Sequence, residues 1–264
     1  MTRSARTALG LGVSAGVFVL LAGCASASPT AGPSLSLSPS PSPSPSLSPS
    51  PSRSGFVRNP PVIRTVYPAR SATATISSVA VHTALDGPVR LSLANPQPSG
   101  APLVFLVVSR RGDWVEVQLP VRPNGSTGWV RAADVTLAGV AYRLDVQRSE
   151  HRLLVYRFGT LVHTYPVGIG TTTTPTPGGT FYLKELLKPP TAGGPYGPFA
   201  YGLSGFSNTL TSFDGGDGVI GIHGTDHPEL VGTDVSHGCI RLRNADITVL
   251  AHELPLGTPV RILS

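Results

Sequence analysis

From Ser28 to Ser54 the chain is nearly all serine and proline, and from Pro39 to Pro51 the two alternate except at Leu47. Such a segment has almost no apolar surface to bury and cannot offset the entropy of ordering itself. It therefore divides the chain into a short leader and about 210 residues that can fold. Proline keeps the run extended at about 3.1 Å per residue, so it reaches roughly 80 Å. The remainder is constrained in turn, because 30 glycines and 27 prolines stand against 13% charged residues. That balance calls for many turns and few long surface helices, so a mainly β fold is expected.

The leader, residues 1–23, begins with Arg3 and Arg6, continues as an apolar stretch from Leu9 to Ala22, and ends in small residues. This is the pattern of an export signal. It is too short for a spanning helix, which needs about 20 apolar residues. Cys24 directly after Leu21-Ala22-Gly23 resembles the lipobox of bacterial lipoproteins. That resemblance implies a lipid on Cys24 and attachment to the outer face of the cell membrane; the plainer alternative is a signal peptide that happens to contain a cysteine. Residues 24–55 then form a stiff spacer that holds a folded body away from the membrane, at the depth of the cell wall. The chain has only one other cysteine, Cys239. With Cys24 lipidated, Cys239 has no disulfide partner in its own chain and is a candidate reactive thiol.

Two folded regions are expected, 56–137 and 138–264. In the first, Trp114-Val115-Glu116-Val117-Gln118-Leu119 alternates with period two, Pro123-Asn124-Gly125-Ser126 turns the chain, and Gly128-Trp129-Val130-Arg131 follows as a strand. This pattern resembles the end of a bacterial SH3-like barrel. Trp114 and Trp129 are either barrel core or a stacking surface for a wall peptide or glycan. In the second region, strands are expected at Arg143–Gln147, Arg152–Tyr156, Leu161–Val167 and Gly257–Leu263. The Gly/Pro/aromatic stretch from Pro189 to Gly218 reads as a structureless lid. One helix is expected from Ala245 to Leu254, capped by Asn244.

The chemistry is concentrated in His223-Gly224-Thr225 and Ser236-His237-Gly238-Cys239-Ile240-Arg241. A thiol is a strong nucleophile as thiolate, and a nearby imidazole is the usual way to make one. The amides around Gly238 and Cys239 are candidates to receive an oxyanion. Together these residues suit acyl transfer through a thioester. A zinc site built from His223, His227, His237 and Cys239 competes for the same residues. It is disfavoured because Gly224 and Pro228 break any helix that would align His223 with His227, and no Cys-x-x-Cys or His-Glu-x-x-His pattern occurs. No metal or cofactor is expected. The net charge of +6 suits anionic wall polymers, and export removes nucleic acid as a partner.

Thr174-Pro175-Thr176-Pro177-Gly178-Gly179-Thr180-Phe181, Ile222-His223-Gly224-Thr225, Ser236 to Asn244 and Gly257-Thr258-Pro259-Val260 resemble the L,D-transpeptidase catalytic domain with its YkuD-like fold. The resemblance implies a β-sandwich or barrel with one short C-terminal helix, preceded here by the SH3-like barrel. It implies 3→3 cross-linking of peptidoglycan stem peptides through a thioester on Cys239, with His223 as the base and no cofactor. Carbapenem β-lactams are then expected to acylate the same thiol. His237 is given a structural or positioning role and Ser236 matches the hydroxyl residue before it. Gly238 and Cys239 supply the oxyanion candidates. Gly224, Arg241 and Asn244 are candidate substrate-binding residues. Arg241 either meets a stem-peptide carboxylate or pairs internally with Asp226, Asp234 or Asp246; Asn244 either binds substrate or caps the helix. Water as acceptor would make the enzyme an L,D-carboxypeptidase. A non-catalytic wall-binding lipoprotein is the reading from a different class.

Overall fold

The computed structural model describes residues 68–212 and 216–264. The leader, Cys24 and the serine/proline spacer lie outside the described residues. Seven strands form the first sheet: β1 (Ala69–Ala74), β2 (Ser78–His82), β3 (Val89–Ala94), β4 (Val104–Arg111), β5 (Trp114–Gln118), β6 (Thr127–Arg131) and β7 (Val135–Val140). Their order is β3-β2-β6-β5-β4-β1-β7, and every pairing is antiparallel. Ala72, Val79, Val81, Phe105, Val115, Val117 and Val130 make its core.

The β5–β6 hairpin follows the period-two pattern, and Val115 and Val117 point into that core. The opposite face of β5 is buried too. Trp114 is 5% exposed, covered by the Arg131 guanidinium 3.8 Å from its ring centroid and by the edge of His82. It is therefore a packing residue, not a stacking surface for ligand. Gln118, at the other end of β5, donates from Nε2 to the Thr180 carbonyl, 62 residues further along the chain, at 2.6 Å.

The region that follows comprises β8 (Tyr142–Gln147), β9 (Arg152–Arg157), β10 (Thr160–Pro166), β11 (Ile169–Gly170), β12 (Gly179–Leu187), β13 (Ala200–Phe206), β14 (Val219–His223), β15 (Asp234–Ser236), β16 (Ile240–Arg241), α1 (Asn244–Glu253) and β17 (Pro259–Leu263). Eight of these strands form one sheet, in the order β10-β9-β8-β17-β12-β13-β14-β16, and β11 pairs with β15 in a second, two-stranded one. Three pairings are parallel: β8 with β17, β14 with β16, and β11 with β15. Residues from most of these strands and from α1 share one apolar core, including Leu144, Val155, Leu183, Leu203, Ile222 and Leu250.

The expected lid is only partly a lid. Ala200–Phe206 is a strand inside the large sheet, hydrogen-bonded between β12 and β14. Tyr201 and Phe206 are buried, and the Tyr201 hydroxyl lies 3.1 and 3.0 Å from the Leu250 and Leu254 carbonyls at the end of α1. Gly202 and Gly205 disguise this strand, since glycine inside a run reads as a loop signal. Both are there for close approach. A Cβ on Gly202 would sit 2.6 Å from Glu185 Oε1, and one on Gly205 would overlap the Phe181 ring. Gly205→Ala is therefore expected to lower stability by about 1–3 kcal/mol, the usual scale of overpacking a full core. Chemical denaturation of the two proteins measures it, and equal midpoints would show that the Phe181 ring has room to move.

The helix also starts differently. Asn244 is its first residue and Arg243 stands at the N-cap position without a side-chain cap bond. The Asn244 amide is used elsewhere: its Oδ1 accepts from the Thr225 backbone N–H at 2.8 Å.

Candidate active site

His223 closes β14 and Arg241 closes β16. The strands run parallel, with Ile222 opposite Ile240 and His223 opposite Arg241. Cys239, one residue before β16, is thereby set beside Gly221, whose backbone hydrogen-bonds to the thiol. The approach to Cys239 is a turn built by Ser236 at the end of β15. Ser236 Oγ donates to the Cys239 carbonyl at 2.6 Å and accepts from the Gly238 N–H at 3.1 Å. Gly238 has φ +116°, a conformation glycine adopts without strain. From below, Thr171 N–H and Thr174 Oγ1 both donate to the Ser236 carbonyl, at 3.0 and 3.1 Å. The threonine- and proline-rich segment before β12 is thus the floor of the nucleophile turn.

These bonds separate the two oxyanion candidates. The Gly238 amide is spent on Ser236, so it is not free to meet substrate. The Cys239 amide has no hydrogen-bond partner among the described residues, and it remains as the donor beside the sulfur. Ser236 holds the turn, with both sides of its hydroxyl engaged.

His223 is 4% exposed. Its Nδ1 lies 2.6 Å from the Gly224 carbonyl. A carbonyl only accepts, so Nδ1 carries the proton and Nε2 is left as the basic nitrogen. Burial pushes the imidazole pKa down to about 4; the Gly224 bond opposes this and the Arg241 charge adds to it. Cys239 is half-buried and unpaired. Burial raises its thiol pKa above the ordinary value, against the pull of the Gly221 hydrogen bond and of the Arg241 charge. Both shifts favour the same forms at neutral pH: a neutral thiol and a neutral imidazole lining one cleft. Groups in these states suit general base catalysis, in which the proton leaves as the sulfur attacks, as the resemblance implied.

Two clefts meet at Cys239 and His223. The smaller, of about 360 Å³, is lined by Pro195, Tyr196, His223, Ser236, His237, Cys239 and Arg241. The larger, of about 830 Å³, runs past Tyr196, Glu185, Lys188 and Gly218 to Ser99, between β3 and β4. The Tyr196 ring meets the His223 ring at 5.0 Å, edge on. The part of the lid before β13 is therefore what covers the base.

Arg241 lines the smaller cleft and forms no ion pair with Asp226, Asp234 or Asp246. Asp234 bonds instead to His151 at 2.8 Å. Arg241 Nε is buried without a hydrogen-bond partner. Gly224 and Asn244 lie behind the base and line neither cleft. A Cβ on Gly224 would stand 2.9 Å from the Gly197 Cα and would overlap Asn244 Oδ1. Asn244 and the close packing at Gly224 fix the backbone whose carbonyl meets His223 Nδ1. His237 is exposed and lines the rim of the smaller cleft. His227 is exposed and bonds to Glu229, and among the described residues no group of three His, Cys, Asp or Glu side chains is placed to hold a metal ion.

Tyr196, Glu185 and Ser99 were not foreseen. Tyr196 stood in the expected lid but carried no motif. Ser99 comes from the loop between β3 and β4, far away in the chain, which no local pattern reveals.

A buried imidazole and a free thiol lining one cleft of a mainly β scaffold are the parts a cysteine acyltransferase needs. Residues 141–262 match the family profile of the YkuD L,D-transpeptidase catalytic domain. A putative L,D-transpeptidase YkuD of Bacillus subtilis is 31% identical over 150 residues, which cover 54% of this chain and 83% of that protein. One from Bacillus licheniformis is 37% identical over 123 residues, 47% of this chain and 66% of that protein. The chain belongs to the L,D-transpeptidase family. Among solved structures, L,D-transpeptidase 3 from Mycobacterium tuberculosis in complex with a faropenem-derived adduct is 16% identical, with a TM-score of 0.39 over 60% of this chain and 97% of that one.

Proposed function

We propose that the protein cross-links peptidoglycan stem peptides by L,D-transpeptidation through a thioester on Cys239. The observation that carries this is the meeting of two clefts at one thiol backed by a buried, neutral His223. In the first half-reaction the sulfur attacks the carbonyl before the terminal D-Ala while His223 Nε2 takes the thiol proton. The Cys239 N–H faces the developing oxyanion. The amide bond breaks, the proton passes to the departing amine, and D-Ala leaves. In the second, the side-chain amine of a diamino acid on another stem attacks the thioester. His223 takes the amine's proton and returns it to the sulfur.

The terminal carboxylate of the donor stem suits the smaller cleft, which the Arg241 side chain lines. The larger cleft is then left for the acceptor. Incubation with disaccharide-tetrapeptides and mass spectrometry of the products tests the assignment. Cross-linked dimer with released D-Ala is the expected result. Tripeptide alone would make water the acceptor and the enzyme a carboxypeptidase, and unchanged substrate would leave the wall-binding reading.

The same thiol should open strained β-lactams. A carbapenem is expected to add its whole mass once to the described domains, at Cys239, as intact-mass spectrometry of a digest would show. No adduct after long incubation at excess drug would mean that the thiol is closed to acyl donors.

The leader and spacer support an exported protein anchored by a lipid on Cys24, with the catalytic domain held at wall depth. The β5–β6 hairpin supports an SH3-like reading of the first sheet. Cys24→Ser should move the protein from the membrane fraction to the medium or leave its leader uncleaved.

A further inference from the structure

The first domain grips a loop of the second at the active site. The segment between β13 and β14 leaves the sheet at Ser207 and re-enters at Gly218, and its neck is closed by the Ser207 N–H donating to the Gly218 carbonyl at 2.8 Å. One side chain of the first domain spans that neck. Arg122, in the turn between β5 and β6, donates from Nη1 to the Ser207 carbonyl at 2.9 Å. Its Nη2 donates to the carbonyls of Asp217 at 3.0 Å and Leu210 at 3.3 Å. The guanidinium also lies 4.8 Å from the Phe206 ring centroid. Two residues on, Asn124 brackets Phe206, accepting its N–H at 2.9 Å and donating to its carbonyl at 2.8 Å.

The neck is not remote from the chemistry. Ser207, Leu210 and Gly218 wall a small cavity of about 20 Å³ whose other lining residues include His237 and Cys239. Gly218 also lines the larger cleft. The first domain reaches that cleft a second time, where Ser99 Oγ donates to the buried carboxylate of Glu185.

We propose that Arg122 and Asn124 are positioning residues for the Cys239 site, so that the first domain completes the substrate cleft instead of only carrying the catalytic domain. The planar fork suits this task, because it holds three carbonyls from both ends of the loop at fixed angles, which an ammonium on a flexible stem does not. Charge-assisted bonds of this kind are stronger than those between neutral groups. The proposal takes the stem-peptide reading for its substrate, and its test separates the two.

Arg122→Gln and Asn124→Ala should loosen the neck without touching the reacting atoms. Hydrogen exchange in residues 205–212 and 216–220 is expected to speed up by roughly tenfold or more, with β8 to β10 unchanged. KM for stem peptides should rise by roughly tenfold, since small displacements of a cleft wall act on substrate placement. Alkylation of Cys239 by iodoacetamide, which needs no cleft, should stay within about twofold of the wild type, as Arg122 does not touch the thiol. Arg122→Lys keeps the charge but cannot span the neck, and it should shift exchange and KM in the same direction by less. Wild-type exchange in both Arg122 variants overturns the clamp, and so does faster exchange with unchanged KM. Wild-type protein that leaves stem peptides untouched would overturn the transpeptidase reading, while exchange at the neck and the alkylation rate still decide the clamp.

Discussion

Cys239→Ala is expected to remove thioester formation and cross-linking together, with a fall in rate on the order of 10⁵-fold or more, the scale seen when an enzyme loses its nucleophile. The fold should survive. The thiol is half-buried and unpaired, and the turn that carries it is held by backbone and Ser236 bonds that an alanine leaves in place. Stability should therefore change by no more than about 1 kcal/mol. Mass spectrometry for the acyl-enzyme, together with chromatography of the muropeptides, checks both parts. Cross-linked dimer at the wild-type rate would remove Cys239 from the mechanism.

His223→Gln should slow acylation by roughly 10²–10⁴-fold, the usual contribution of a general base. The pH dependence is the sharper test. With its imidazole held near pKa 4, the wild-type base stays deprotonated through the mildly acidic range, so the acid limb of kcat/KM should fall near pH 4 and not near 6.5. The variant must rely on spontaneous thiolate. Because the thiol pKa is raised, its rate should climb about tenfold per pH unit through neutrality while the wild type stays flat. An acid limb near pH 6.5 in the wild type would show that the imidazole is solvated and that the burial argument fails.

The same shift makes a stability prediction. The unfolded chain takes up a proton on His223 near its ordinary 6.5, whereas the folded chain does so only near 4. Between these values the unfolded state binds more protons, so stability is full above 6.5 and is lost as pH falls toward 4. The loss is on the order of 2–3 kcal/mol by pH 4.5. Urea denaturation at pH 7 and pH 4.5 should show it in the wild type, and a correspondingly smaller drop in His223→Gln.

Much of the site was legible because its residues lie close in sequence and their chemistry is in their types. His223, Ser236, His237, Gly238 and Cys239 come together around one turn and one pair of short parallel strands, so motif and site coincide. The β5–β6 hairpin was legible for a similar reason, since alternation and the Pro123–Ser126 turn are local signals. β13 was not, because Gly202 and Gly205 answer to Glu185 and Phe181 across the sheet, and a glycine required by a distant neighbour looks like one that permits a loop. Asn244 looked like a helix cap for want of sight of Thr225, 19 residues earlier in the chain.

The sequence by itself determined the class of fold and the kind of enzyme, since both rest on residue type, composition and short motif spacing. Tertiary structure alone decided the burial that shifts His223 and Cys239, the loss of the Gly238 amide to Ser236, the buried Nε of Arg241 and the grip of Arg122 on the neck at Ser207 and Asp217. Each of these is set by which groups water cannot reach and which distant donors take up an acceptor. Burial and long-range hydrogen bonding belong to the packed chain, and no local stretch of sequence carries them.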